Sequence, residues 1–396
     1  MEAVRRAVDR PCPICESQKF RLLVNLGSWP MSGQFVKRVS GPIGKIHMAL
    51  EFCTVCFFVR RRRIGSGTRN YRGIHRVTKS QKPRYLREIL AKIGRFRPPG
   101  SLVLEIGSND GAFLLACKSR GIQKVVGVEP SPVLARHSRA RGLPVLCDYF
   151  NPATAHKIVR RWGAPGGIVC RHTLEHVPDP RAFLEAALAI LKPGGRLYVE
   201  CPDSQTLLGG LHWYEIWDEH ENYFTRNSMG AILQKSGFCL EELKSRIFRD
   251  ATNLCCWAQK VVPKKTRTLQ PRAGDRRMIR VFPGRFRHRV RLLVQRLRAE
   301  KRKIICLGAG HPQTNFVLAA RIGAQIHRFV DDDPSKFGKY VFVPTPKKVI
   351  STREFLQKPE SFCVLATAFP YPGWMRNIKN RRKNRHDQWL FPYRRL

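Results

Sequence analysis

Acidic residues are scarce in this chain. Only 29 Asp and Glu stand against 73 Lys and Arg, a formal net charge of +44. A field of that size attracts any polyanion, whether RNA, DNA, anionic lipid or a nucleotide-linked substrate, and names none of them. An arginine-rich proteome would produce the same balance. Long apolar runs are also missing, none approaching the roughly 18–20 residues of a bilayer span. Met1 to Pro11 has no apolar stretch ahead of a cleavage site. The expectation is a soluble, cytoplasmic protein with no membrane partner. The 13 cysteines are odd in number and scattered through apparent core strands, which excludes a secreted disulfide framework and suits a reducing compartment. With 43% hydrophobic residues in 396, global disorder is excluded and two or three domains are expected.

The most informative stretch is Leu102-Val-Leu-Glu-Ile-Gly-Ser-Asn-Asp-Gly111. Its first half reads as a buried strand and its glycines as a turn; Ala112 to Ala116 reads as the start of a helix. A strand that stops at glycines before a helix leaves bare backbone on which an adenosine-type ligand can lie. The turn lacks the lysine and glycine spacing of an NTP loop. About eighteen residues on, Val125-Val-Gly-Val-Glu129 is a second strand ending in an acid that can accept ribose hydroxyls. A third strand runs from Gly166 into His172-Thr-Leu-Glu-His176-Val-Pro-Asp179. A helix then ends at Lys192-Pro-Gly-Gly195, ahead of the strand Arg196 to Glu200.

Glu105-x-Gly-x-x-x-Gly111, Glu129, the His-x-x-x-His-x-x-Asp run and the Leu-Lys-Pro-Gly-Gly turn, in this order, resemble a class I S-adenosylmethionine-dependent methyltransferase. The resemblance implies an α/β fold with a Rossmann-like seven-stranded sheet. Strands are expected near 102–106, 124–129, 144–147, 166–171, 196–201, 237–243 and 253–260, the last at an antiparallel edge. It places the methyl donor along Glu105, Gly107, Ser108, Asn109, Gly111, Glu129 and Pro130, with His172 beside it.

Cys12-Pro-Ile-Cys15 and Cys53-Thr-Val-Cys56 are two Cys-x-x-Cys knuckles. Two such pairs in an intracellular chain are what a four-thiolate zinc site requires, and four thiolates leave no open position, so the zinc is expected to be structural. Arg60 to Arg63 with Gly65-Ser-Gly67 reads as a charged exit and linker. Val261 to Lys303 holds sixteen Lys and Arg against Asp275 and Glu300, with an apolar stripe from His288 to Lys301. It reads as a linker plus a helix with a basic outer face; a nucleic-acid-binding helix is the sharper alternative. Lys303-Ile-Ile-Cys-Leu-Gly308-Ala-Gly310 opens a second strand–turn–helix unit, with its helix expected over Asn315 to Ile322. The third small residue of a dinucleotide fingerprint is Gln313 here, so no second cofactor is expected. The tail from Arg376 reads as loosely ordered. The expected domains are 1–80 (zinc module), 81–262 (methyltransferase core), 263–302 (basic linker and helix) and 303–396 (Rossmann-like, substrate-binding).

That three-part order resembles the sugar C-methyltransferases that act on nucleotide-linked keto-deoxysugars. In that family the C-terminal domain helps hold the substrate's nucleotide, and a Tyr-His-Glu-His-like element follows the fifth core strand. The matching stretch is Trp217-Asp218-Glu219-His220; Glu219 and His220 match, whereas Trp217 and Asp218 depart. His176 matches a histidine of the same site, and Tyr71 falls near a family tyrosine. Carbon methylation needs a carbanion equivalent, the enolate beside a ketone. A base must remove the proton and a donor must hold the oxyanion. His220 is the expected base and Glu219 its support or a sugar ligand, with His176 or Tyr71 as the donor to the enolate. The expected partner is a small substrate, a nucleotide-linked sugar. The rival reading is a zinc-containing RNA methyltransferase, which the charge suits, but no Asn/Asp-Pro-Pro-aromatic run follows the fourth strand. A binding protein with a degenerate cofactor pocket is opposed by the intact glycines and by Glu105 and Glu129.

Overall fold

The computed structural model describes residues 10–40, 43–63, 83–96, 99–248, 251–260, 273–367, 373–382 and 386–392. Three sheets organise them. The central one has seven strands in the order Phe238–Phe248, Ala251–Lys260, Arg196–Pro202, Pro165–Arg171, Leu102–Ile106, Val125–Val128 and Val145–Leu146. The first two pairings are antiparallel and the rest parallel. All seven strands lie where the sequence places them, with one correction. Ala251–Lys260 sits one place in from the edge, because the hairpin partner Phe238–Phe248 covers its outer side. Leu102–Ile106 is buried along its whole length, as a central parallel strand covered on both faces must be.

The N-terminal sheet joins Phe20–Pro30, Lys45–Cys53, Val59–Arg61 and, from far along the chain, Asn222–Tyr223. The run Arg60 to Arg63 is therefore not a linker. Arg60 and Arg61 lie in a strand, with Arg60 on Glu51 at 2.7 Å and Arg61 buried on Glu221. The C-terminal sheet has the order Tyr340–Phe342, Pro346–Ser351, Ile326–Asp331, Lys303–Leu307, Phe362–Ala366 and Gln388–Leu390, parallel except for its first pair. Its first helix spans His311–Ala319, four residues earlier than expected, because Pro312 at its start favours helix entry. The described residues of the tail form the helix Gly373–Arg381 and the strand Gln388–Leu390, which bury Met375, Ile378 and Leu390.

One apolar core joins the outer units. Trp29, Met48 and Leu50 of the N-terminal sheet share it with Leu207, Trp213, Phe282, Phe286, Phe316 and Leu390. Trp213 stacks on Phe316 at 5.0 Å and meets Phe286 edge-on at 5.5 Å. The basic segment forms a single helix, Ala273–Ala299, longer than the His288–Lys301 pattern suggested. Its Ile279, Phe282, Phe286, Leu293 and Leu297 are buried in that core, while most of its arginines face outward.

Candidate functional site

At the carboxyl ends of the parallel strands lies a cavity of about 700 Å³. Its walls come from the glycine loop after Leu102–Ile106, the acid after Val125–Val128, the turn after Pro165–Arg171, the segment 214–220, and the start of the helix His311–Ala319. Gly107 and Gly111 have φ near +77° and +76°, the left-handed region that favours glycine. The N–H groups of Gly107 and Ser108 both donate to the Val128 carbonyl, at 2.8 and 3.0 Å, closing the loop onto the neighbouring strand. A side-chain carbon on Gly107 would stand 2.1 Å from Thr173 Oγ1, so the bare backbone here is a steric necessity.

Glu129 is buried, and its carboxylate accepts N–H bonds from Asn109 and Ser131, both at 2.9 Å. It thus holds the glycine loop in place. Glu105 is buried with Arg171 at 3.6 Å, and its Oε2 has no hydrogen-bond partner among the described residues. Burial pushes its carboxyl up to about 8, against the pull of the guanidinium.

His172 ends its strand at φ +48° and lies half exposed in the cavity. Its Nδ1 is 3.5 Å from Glu175, and its Nε2 is 3.3 Å from Glu200 and 3.4 Å from the Asn253 amide. Loss of water lowers its affinity for a proton, but the two carboxylates outweigh that and lift it to about 10. Glu175 is held below the usual carboxylate range in spite of its burial, chiefly by the bond to the protonated His172.

Deeper in, Glu175, His176 and His220 present ligand atoms all within 4.8 Å of one another. His176 Nδ1 bonds the Glu219 carbonyl at 2.9 Å. The two histidine rings meet edge-on at 5.0 Å, and the Trp217 ring lies 4.8 Å from His220 and 4.6 Å from His311. Burial depresses both histidines, His176 with help from the charge of His172, and His220, beside His176 as well, to about 3. They stand neutral, with a carboxylate at hand to stabilise a proton that either one takes.

The structure brings together His176, His220, His172, Glu105, Gly107, Ser108, Asn109, Glu129 and Pro130 around one cavity. Gly111 caps the helix behind them. Glu219 reaches the pair by its backbone carbonyl, and the carboxylate beside the two rings is that of Glu175. Tyr71 lies outside the described residues. Sequence reasoning passed over Glu175, Glu200, Asn253, His311 and Asn315. Glu175 sits inside the His172–His176 run and was in view; the others come together only in three dimensions.

Away from the cavity, the four cysteines of the N-terminal unit converge. The sulfurs of Cys12 and Cys56 are 3.3 Å apart, those of Cys15 and Cys53 3.5 Å apart, and all four lie within 4.8 Å of one another. Thiolates on a tetrahedral zinc stand about 3.8 Å apart. The two knuckles have the same backbone. In each, the residue after the second cysteine (Glu16, Phe57) has φ +61° and donates its N–H to the first cysteine's carbonyl. The cluster could hold a metal ion.

A family model described as a methyltransferase domain matches residues 78–243. The ubiquinone biosynthesis O-methyltransferase of Xanthomonas axonopodis pv. citri is 32% identical over 177 residues, 40% of this chain and 71% of that protein. The chain belongs to the S-adenosylmethionine-dependent methyltransferases. The C-methyltransferase NovU of Streptomyces niveus is 25% identical over 352 residues, a match that takes in 84% of this chain and 83% of that one. Among solved structures, a S-adenosylmethionine-dependent methyltransferase from Clostridium acetobutylicum aligns with 48% of this chain and 96% of its own, at 12% identity and TM-score 0.38.

The residues around the glycine loop fit this methyltransferase's donor on two observations. The Gly107 backbone is open only because no side chain can stand there, and Glu105 Oε2 is a buried polar oxygen with no hydrogen-bond partner among the described residues. No described helix is long and apolar enough to cross a membrane.

Gly107→Ala should weaken S-adenosylmethionine binding by at least about tenfold, because the added carbon meets both a left-handed φ and Thr173. Titration calorimetry reads this directly. A second expectation concerns acid. Unfolded His220 takes up a proton near 6.5, and in the folded protein it does so only near 3. Between those values the unfolded state binds more protons, so stability falls as pH drops from about 6.5 toward 3. Denaturant melts across that range should show a shallower slope in His220→Asn.

Proposed function

We propose that this methyltransferase transfers a methyl group to carbon on a small keto substrate, a nucleotide-linked keto-deoxysugar or a close analogue. The observation that carries the reading is the pair His176–His220 with Glu175, set in the same cavity as the glycine loop. S-adenosylmethionine supplies an electrophilic methyl on a sulfonium. Glu105, Gly107, Ser108, Asn109, Glu129 and Pro130 bind its adenosyl and amino-acid portions, with Gly111 shaping the loop. His172 with Glu175 and Glu200 carries one positive and two negative charges, a net-negative setting suited to a sulfonium. His220, neutral and buried, removes the proton beside the ketone, and Glu175 stabilises the imidazolium so formed. His176 commits its Nδ1–H to the Glu219 carbonyl, so its other nitrogen donates to the developing enolate only when the ring is protonated, a state that Glu175 beside it favours. Tyr71 remains a candidate for that donor role. The similarity to a C-methyltransferase over most of both chains supports methylation at carbon.

His311 and Asn315 bring the C-terminal unit to the cavity wall, where it is suited to hold the distal part of the substrate. The division proposed is a zinc module at 1–80, the core at 81–262, the basic helix region at 263–302 and the substrate-binding Rossmann-like unit at 303–396. Zinc on Cys12, Cys15, Cys53 and Cys56 is structural, since four sulfurs complete its coordination.

His220→Ala should leave donor affinity intact while lowering kcat on a nucleoside-diphosphate-linked 4-keto-6-deoxyhexose by about 10²–10⁴-fold. Retained turnover would remove His220 as base, and labelled methyl appearing in total RNA instead of the sugar pool would replace the reading altogether. A strong chelator should release about one zinc per chain and lower the melting temperature. Protein that contains no zinc as purified, and whose melting ignores the chelator, would dismiss the metal.

A further inference from the structure

The residues immediately after His220 are tied on two sides. The Glu221 N–H donates to the Glu175 carbonyl at 2.8 Å, and the Glu221 carbonyl accepts the Arg61 N–H at 2.9 Å. Its buried carboxylate takes the Arg61 guanidinium on one oxygen and Arg63 Nε, at 3.0 Å, on the other. Next in line, Asn222 pairs with Arg60 and Tyr223 with Val59 in the N-terminal sheet. The Asn222 side-chain amide reaches the other way, donating to the carbonyls of Leu174 (3.2 Å) and Val177 (2.7 Å). The turn that carries Glu175 and His176 and the segment that carries His220 are thus locked to each other. Both are locked in turn to the strand that leaves the second cysteine knuckle.

Glu221 is not among the residues lining the cavity. Two arginines and a carboxylate withdrawn from water cost several kcal/mol of desolvation per ion, and apolar residues of similar size would pack as well. What the charges add is register, since one carboxylate meets both guanidinium groups and so ties the segment to the strand at a fixed point. A misplacement of reacting groups by about 1 Å can cost a hundredfold in rate.

We propose that Glu221 is a positioning residue for methyl transfer: clamped between Arg61 and Arg63, it sets the spacing between His176 and His220. The proposal rests on the reading of those two histidines as the groups that face the keto substrate. Through Arg61, it makes the N-terminal unit part of the catalytic framework without giving that unit any contact with the reacting atoms.

Glu221→Gln keeps the size of the side chain and removes the charge. In histidine-labelled protein without substrate, the ring nitrogen resonances of His176 and His220 should shift. With the nucleoside-diphosphate-linked 4-keto-6-deoxyhexose, kcat should fall roughly ten- to hundredfold, while the KM and Kd for S-adenosylmethionine stay as they were. Arg62→Ala, in the same run but 47% exposed, should leave the rate unchanged. If Glu221→Gln does not fold, Arg63→Ala removes only the outer arm and should give the same pattern in smaller measure. A folded variant with wild-type kcat and unmoved histidine resonances overturns the proposal, as does a loss of melting temperature alone. Failure of the underlying reading looks different: His220→Ala would then keep its turnover, whereas failure of this proposal leaves His220→Ala inactive and the Glu221 variant normal.

Discussion

Burial of Trp213 between Phe286 and Phe316 is the constraint on which the cavity depends. The central sheet by itself offers an open shelf at its strand ends. The cavity has a far wall only because the segment around Trp213 shares one apolar core with the helix Ala273–Ala299 and the C-terminal sheet. Removing an aromatic side chain of that size from a core costs about 3–5 kcal/mol, far more than any surface ion pair supplies. The same packing sets His311 against Trp217, and so fixes the distance from the second strand–turn–helix unit to the histidine pair.

Within that enclosure charge is sorted by depth. Near the glycine loop, His172 is surrounded by carboxylates and holds its proton. A few residues away, His176 and His220 have been stripped of water and stay neutral. One residue type therefore serves as a fixed cation and as a vacant proton acceptor in the same cavity, and Glu175 touches both states. Neighbouring groups with protonation equilibria driven apart are the arrangement that proton transfer requires.

Much of the fold was legible because buried parallel strands are written as continuous apolar runs that end at glycine. Leu102–Ile106 is such a run, Pro165–Arg171 is an apolar one that ends at Arg171-His172 instead, and the loops after both line the cavity. The cysteine knuckles were legible for a similar reason, since their spacing is local. What escaped were features whose meaning lies at long range. Arg60 to Arg63 looks like a solvated charge run until Glu221 and Glu51 are brought alongside. Glu219 stands next to His220 in sequence, whereas the proximity of the Glu175 carboxylate to both rings, brought from another loop, is not legible from spacing. The basic, aromatic tail reads as loosely ordered, yet Arg382 is buried on Asp387, just ahead of the strand Gln388–Leu390 that pairs with Phe362–Ala366.

The second glycine turn, at Gly308, has a different fate from the first. Gln313 lies over it, Asp331 accepts the Ala309 N–H at 2.8 Å, and Lys336 reaches the same carboxylate at 2.7 Å. The shared core also has a consequence for biosynthesis. Trp29 emerges early, and the core it shares with Leu390 cannot be completed until roughly 360 further positions have been translated. The central sheet can assemble during synthesis, while the N-terminal strands wait with part of their apolar face uncovered. Nascent chains arrested ahead of Leu390 would thus be the stage at which chaperones find this protein.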